Sequence, residues 1–414
     1  MNLEELRLRR RALTRYFNGG KPAEICKRLG RSLSWFKKWR ARYSVAGYAG
    51  LSDQSRRPKH PARRYSVAVE RLIVQTHRRL KRRRVGCAGA KYVQRELKRI
   101  QLKPLPGCSK IQRVLRAHHL THPHGQRRTR SASYPHPHAK SNFVLQALDW
   151  ISRRLRGGTE VYAFQTVDHR SRDLSSDVAR DKSWPTVRTI VLAAWKWLGL
   201  PHAILVDNDA VFCGGYRGRR VMGQFVRLCL YLGIEPIFTP FYDPESNGVA
   251  EGVNSLWAMS FWNKRRFRSY PDVRRHQPEF VRWYRQEYRP PALHGHSVRL
   301  ARKNRRSRPL TQAQIDTLPN PLPITAGRIH FIRLVDADGQ VVILNETWNV
   351  GWRLAGEYVW ATVFLKEQVL CIYYRPSAQK PFRLIKSWQY KLNEPVLPPK
   401  PEFAHKRPNL DTMC

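Results

Sequence analysis

The stretch Ala203-Ile-Leu-Val-Asp207-Asn208-Asp209 constrains this chain most, together with Pro244-Glu-Ser-Asn247-Gly248-Val-Ala-Glu251, which begins a few turns of chain further on. A short apolar run reads as a buried strand, and such strands do not usually end on a cluster of acids. In the second stretch a Pro/Asn/Gly turn precedes a helical run that Glu251 opens. One carboxylate at a strand end and one at a helix start make half of a site for a hard cation, with a third oxygen ligand expected upstream. Asp149, in Leu145-Gln-Ala-Leu-Asp149-Trp150, is the candidate, on a strand whose odd residues Phe143, Leu145 and Ala147 share one face. Like charges from separate elements tolerate closeness when a cation sits among them. Two Mg²⁺ ions about 3.5–4 Å apart, or Mn²⁺ in their place, would clamp the attacking and leaving oxygens of a phosphodiester.

The charge of the chain supplies the partner. Its 414 residues hold 77 Lys and Arg against 30 Asp and Glu, a net +47. Residues 1–140 carry 37 basic and 6 acidic side chains, and the remainder 40 and 24. A surface so basic repels itself unless a polyanion neutralises it, and nucleic acid is the expected one. There is no run long and apolar enough to span a membrane, no isolated basic amphipathic helix and no signal-peptide core near Met1. A cytoplasmic, nucleoid-associated protein is therefore expected. Seven scattered cysteines without a C-x-x-C fit a reducing compartment. His118, His119, His122, His124, His136 and His138 suggest zinc, but lack the C-x₂-C partner a zinc site would use and read as a polar linker.

Composition and periodicity divide the chain into a first helix-turn-helix domain (1–50), a linker (51–64), a second helix-turn-helix domain (65–122) and a linker (123–141). A mixed α/β core (142–292), a linker (293–325), a small all-β barrel (326–392) and a Pro-rich, unfolded tail (393–414) follow. In the first domain a Gly turn precedes an N-capped helix, with Leu33, Phe36 and Tyr43 inward and Ser34, Lys37, Lys38, Arg40 and Arg42 toward DNA. In the second, Lys110, Arg113 and Arg116 share a helix face. The core is expected to run as strands Phe143–Ile151, Val161–Val167 and Asp173–Ala179, a helix from Thr186, and a strand Ala203–Asp207. A helix near Val221–Leu232, a strand Ile234–Phe238 and helices from Val249 and Pro278 complete it. Trp195, Trp197, Trp257 and Trp262 read as core aromatics. The barrel strands are Ile329–Val335, Val341–Leu344, Tyr358–Phe364 and Val369–Tyr374, with a turn at Asp338-Gly339.

Leu148-Asp149-Trp150, Val206-Asp207-Asn208 and Asn247-Gly248-x-x-Glu251-x-x-Asn254 together resemble the integrase core of DDE-type insertion-sequence transposases and retroviral integrases. That core is an RNase H-like fold, here preceded by helix-turn-helix domains. Asp168, in Thr166-Val-Asp168-His-Arg-Ser171, resembles a structural position of the second strand. The resemblance implies that Asp149, Asp207 and Glu251 are the catalytic residues and the metal ligands of two Mg²⁺ ions. It further implies binding of terminal inverted repeats, 3′-end cleavage by water, attack of the freed 3′-hydroxyl on target DNA, and assembly of several protomers on paired ends. It leaves open whether an ATPase partner takes part.

The chain departs from the family in three ways. The 43 residues between Asp207 and Glu251 exceed the family's usual spacing, and a Gly/Arg-rich insertion at Cys213–Arg220 accounts for the excess. Asp209 stands where the family has Gly. Ser255 and Ala258 stand where relatives place DNA-gripping bases, a role that Lys264, Arg265 and Arg266 are expected to take over. Two alternatives follow: a DNA-binding repressor or targeting protein whose acids no longer bind metal, and an RNase H-like nuclease without joining activity.

Overall fold

The structure, a computed structural model, describes residues 3–53, 65–121, 134–137, 144–214, 218–302 and 308–404. Most of the expected linkers 51–64 and 123–141 lie outside these residues. Contacts divide the chain into two units, residues 1–66 and 67–414.

The first unit is a three-helix cluster of α1 (Leu3–Phe17), α2 (Pro22–Leu29) and α3 (Leu33–Ala46). Pro22 opens α2, Gly30 ends it in the left-handed region at φ 62°, and the Ser32 hydroxyl caps α3 by accepting from Trp35 N at 3.2 Å. Ala12, Leu13, Ile25, Phe36 and Trp39 form the core. The expected helix-turn-helix is present, with one correction. Leu33, placed inward from sequence, is 46% exposed, and Trp39 packs inside at 4%. The buried Arg9 draws Trp39 in: its guanidinium lies 3.7 Å over the indole and donates to Leu51 O and Asp53.

The second unit begins with α4 (Val67–Arg82), α5 (Ala90–Arg99) and α6 (Cys108–Ala117), packed around Ile73, Val93, Leu97, Ile111 and Leu115. Gly86, between α4 and α5, donates its N–H to Ser260 O at 2.8 Å. Its φ of +119°, and the 2.9 Å a Cβ would leave to Trp283 Nε1, exclude any side chain there.

The chain then runs β1 (Leu145–Arg154), β2 (Glu160–Asp168), β3 (Leu174–Ala179), α7 (Trp184–Leu198), β4 (Ala203–Val206), α8 (Ala210–Cys213), α9 (Gln224–Tyr231), β5 (Glu235–Phe238), α10 (Gly248–Ser260) and α11 (Tyr270–Gln286). After α12 (Val298–Arg302), α13 (Gln312–Asp316) and β6 (Ile324–Thr325) come β7 (Arg328–Leu334), β8 (Gln340–Ile343), β9 (Glu346–Asn349), β10 (Tyr358–Phe364), β11 (Val369–Tyr374), β12 (Arg383–Gln389) and β13 (Val396–Leu397).

Among the described residues, nine strands form one sheet in the order β12-β11-β10-β7-β5-β4-β1-β2-β3. In its first half β2 runs antiparallel between β1 and β3, while β1, β4 and β5 are parallel. The strands β4 and β5 are buried along their whole length, as continuous apolar runs between helical layers require. On one face α7 and α9 pack over Leu148, Ile204 and Val206. On the other α10 and α11 cover Val161, Ala163 and Ala147. This is the mixed α/β, RNase H-like core that the sequence led us to expect.

The C-terminal strands depart from expectation. A separate small barrel was expected from the alternating pattern, yet β7 pairs in parallel with β5 (Ile237 with His330, Phe238 with Phe331) and continues the core sheet. Phe238 and Phe331 stack across that junction, with centroids 5.2 Å apart. Burying the β5 edge under another strand satisfies its backbone, which closure of an independent barrel would have left bare. Three smaller corrections apply. The helix expected from Pro278 begins at Tyr270, where Ser269 supplies the cap, and Pro278 lies inside it. The tail expected to be unfolded pairs β13 with β6 and buries Phe403 to 2% exposure. Trp197 is not core but 40% exposed, sandwiched by Arg285 at 4.0 Å and Arg302 at 3.6 Å.

Candidate active site

Register brings the acids together. Leu145 pairs with Ala203 and Ala147 with Leu205 across parallel β1 and β4, so Asp149 and Asp207 occupy matching positions two residues further along. Paired residues of parallel strands point to the same face. Here that face is the one Ala147, Leu205 and Ala250 fill, beneath the start of α10. Glu251 lies in the first turn of α10, and the three carboxylates line one cleft of about 280 Å³ with Asn208, Asp209, Thr239, Phe241, Asp243 and Asn247.

The cleft is electrostatically costly. Burial pushes the Asp149 carboxyl up to about 7, with repulsion from Asp207 and Glu251 adding to it. Hydrogen bonds offset only part of that: Trp150 N donates to Oδ1 at 2.7 Å, and Asn254 Nδ2 donates to Oδ2 at 2.8 Å. Asp207 is also raised, by burial first and by Asp209, against the Asp209 N–H bond and Lys182. Asn254 lies three residues after Glu251, on the same helix face. Asn247 Nδ2 holds the end of α10 to Leu148 O at 3.2 Å.

Asp209 does not join the triad as a fourth bare acid. Its Oδ1 caps α8 by accepting from Val211 N at 3.1 Å, and its Oδ2 pairs with Lys182 Nζ at 2.5 Å. Lys182 in turn lies 4.4 Å over the Trp150 ring. Asp168 is buried in the β2–β3 turn, accepting from Ser171 N and Oγ at 2.7 and 2.6 Å, a structural arrangement. Among the described residues no three His, Cys, Asp or Glu side chains are drawn up as a formed metal site.

The expected DNA-facing residues divide. Ser34, Lys37, Lys38 and Arg40 lie exposed on α3, Ser34 Oγ 2.9 Å from Ser32 Oγ and Arg40 bonded to Tyr16 Oη at 3.0 Å. On α6, Arg113 and Arg116 are exposed, while Lys110 pairs with Glu70 at 2.6 Å. Lys264 and Arg265 are committed to the protein: Lys264 Nζ donates to Lys81 O at 2.8 Å, and Arg265 pairs with Glu279. The Lys264 bond, with one from Arg265 Nε to Arg84 O at 3.4 Å, fastens the α4–α6 cluster to the core.

Sequence reasoning passed over Lys182, Thr239 and above all Arg333, and quoted Asn208 without giving it a role. The one available signal for Arg333 was a basic residue inside the apolar strand Ile329-His-Phe-Ile-Arg333. Another passed-over pair is Tyr358, whose Oη donates to Asp243 Oδ2 at 3.0 Å at the cleft.

Residues 9–71 match a winged helix-turn-helix family model. Among solved structures, the chain is similar to the HTLV-2 integrase catalytic core domain in complex with magnesium, at 13% identity and TM-score 0.30, over 40% of this chain and 99% of that one. It is similar to a chain of the simian T-cell lymphotropic virus intasome in complex with the PP2A regulatory subunit B56 gamma, at 14% identity and TM-score 0.33, over 72% and 96%. The BIV integrase catalytic core matches at 15% identity and TM-score 0.28, over 38% and 92%. Strand order and register, rather than these values, define the sheet. The chain joins a helix-turn-helix to a mixed α/β sheet, and no helix among the described residues is long and apolar enough to cross a membrane.

Proposed function

We propose that the protein is a DDE-type DNA transposase: it binds the terminal inverted repeats of a mobile element and catalyses metal-dependent 3′-end cleavage and strand transfer. The observation that carries this reading is the convergence of Asp149, Asp207 and Glu251, from β1, the end of β4 and α10, on one cleft in a chain of net charge +47. Three hard oxygen donors, one of them raised by burial and then by the other two, are a donor set suited to divalent cations. Asp149 Oδ2 accepts from the Asn254 amide, and a carboxylate oxygen so held keeps a second lone pair for a cation. Two Mg²⁺ ions, or Mn²⁺, held by these three acids would polarise the phosphodiester and activate the attacking water or 3′-hydroxyl.

The remaining residues position and screen. Asn254 orients Asp149, Lys182 neutralises Asp209 beside the cleft, and the exposed bases of α3 and α6 hold DNA phosphates. Recognition and catalysis lie on separate elements, which suits several protomers assembled on paired ends, each contributing both.

The test is Asp207→Ala assayed with pre-cut ends and a supercoiled target in Mg²⁺. End binding is expected to persist while joining disappears; joining that survives would refute the assignment. A repressor or targeting protein is the second reading, favoured by the Asn254 amide that already engages Asp149 and by the extra acid, Asp209, beside the cleft. On that reading the unaltered chain binds ends but neither nicks nor joins them at any Mg²⁺ or Mn²⁺ concentration. A plain nuclease would instead give cleaved product alone.

A further inference from the structure

Arg333, on β7, is 3% exposed and lies behind the carboxylate cleft. Its Nη2 donates to Asn208 Oδ1 at 2.8 Å and its Nη1 to Thr239 O at 2.8 Å and Ile332 O at 2.9 Å, while Nε donates to Val342 O at 2.8 Å. The guanidinium also lies 4.5 Å over Phe241. All four acceptors are neutral oxygens. A buried cation without a carboxylate partner is expensive, so its value must lie in what it holds. Asn208 stands between Asp207 and Asp209, and its Nδ2 donates to Thr239 O at 2.6 Å. Thr239 N in turn donates to Val206 O at 3.0 Å. The planar fork therefore closes a ring of bonds around the loop that carries Asp207, and Asn208, Thr239 and Phe241 all line the cleft.

We infer that Arg333 is a positioning residue for the candidate active site: from the C-terminal half of the sheet it fixes Asn208 and Thr239, and through them the orientation in which Asp207 receives a divalent cation. The inference rests on the metal-dependent reading above. It makes the C-terminal strands part of the catalytic apparatus without any of them touching DNA or metal. A lysine would keep the charge but could not span the amide and the carbonyl with a rigid fork.

The test uses the full chain with Arg333→Met, Arg333→Lys and Asn208→Ala, reading Mn²⁺ binding by electron paramagnetic resonance, the Mg²⁺ dependence of joining, end-binding affinity and thermal melting. Arg333→Met and Asn208→Ala are each expected to weaken Mn²⁺ binding and raise the Mg²⁺ midpoint by about tenfold or more. End-binding affinity should stay unchanged, and Arg333→Lys should restore only part of the metal response. If Arg333→Met fails to fold, Asn208→Ala decides alone, because it removes the acceptor without emptying the strand. Wild-type metal binding and midpoints in the folded variants would overturn the inference and leave the transposase reading standing. Absence of Mn²⁺ binding and of joining in the unaltered chain would sink both.

Discussion

Where β1 and β4 meet α10, Asp149, Asp207 and Glu251 face one cleft, and the Asp149 carboxyl is driven up to about 7. Where β5 meets β7, in the same sheet, Glu235 lies deeper than the half-buried acids of the cleft, at 2% exposure, yet its carboxyl lies below its ordinary value. Burial alone would raise it, but the His330 bond at 3.2 Å and the Arg328 fork at 2.7 and 2.9 Å outweigh burial. His330 Nδ1 accepts from Trp360 Nε1 at 3.1 Å, so the proton that faces Glu235 sits on Nε2. One region gathers three acids about a single cleft, and the other matches one carboxylate with two basic partners. Crowded like charges mark a place suited to a ligand, and a matched charge marks a joint.

The largest effect should come from the acids. Asp149→Ala or Glu251→Ala is expected to abolish Mg²⁺-dependent joining by several orders of magnitude in a gel assay while leaving the melting temperature unchanged or higher. A variant that joins normally would break the contrast.

The joint should respond in the opposite sense. Glu235→Gln leaves Arg328 and His330 buried without their carboxylate, and is expected to cost about 3 kcal/mol of stability in urea titration. Because the Glu235 carboxyl is lowered on folding, its contribution is present above its unfolded value and is lost as pH falls through the folded one. Glu235→Gln should therefore flatten the acid limb of the stability curve; an unchanged limb would show the joint to be indifferent to that charge.

A smaller effect sharpens the cleft side. Asp149 is raised on folding, from 3.8 to about 7, so the stability its protonated form contributes is full below about 4 and lost as pH rises through 7. In metal-free buffer Asp149→Asn should raise the melting temperature by several degrees at pH 8 and by almost nothing at pH 4. A gain that does not depend on pH would mean that the buried charge of Asp149 is not its source.

The smallest test carries the contrast to the surface. Among the described residues no carboxylate pairs with Lys37, whereas Lys110 is held by Glu70. Lys37→Ala should reduce the slope of log affinity against log salt for DNA by about one, and Lys110→Ala by less.

The acids were legible because each stands at a break in pattern: a strand ending on Asp207, a turn before Glu251, an acid on an apolar strand at Asp149. The core elements were legible for the same reason, since period and punctuation agree there. The sheet's continuation was not. Alternation in β7, β10 and β11 says that one face is buried without saying which strand lies alongside, and pairing between residues 237 and 330 leaves no local trace. The contacts of Lys264 and Arg265 were not legible, because a cation's partner within the fold, such as the carbonyl of Lys81, is a matter of tertiary placement. Arg333 was hidden by the same gap: its acceptors at Asn208 and Thr239 are far from it in sequence.

The junction of β5 with β7 also bears on how such a chain can be inherited. Recombination that replaced everything after residue 292 would have to deliver a strand in register with Ile237 and Phe238, a basic pair for Glu235 and a fork long enough to reach Asn208. A donor must meet all three demands at once, so the acidic cleft and the distant end of the gene should descend together as one linked block.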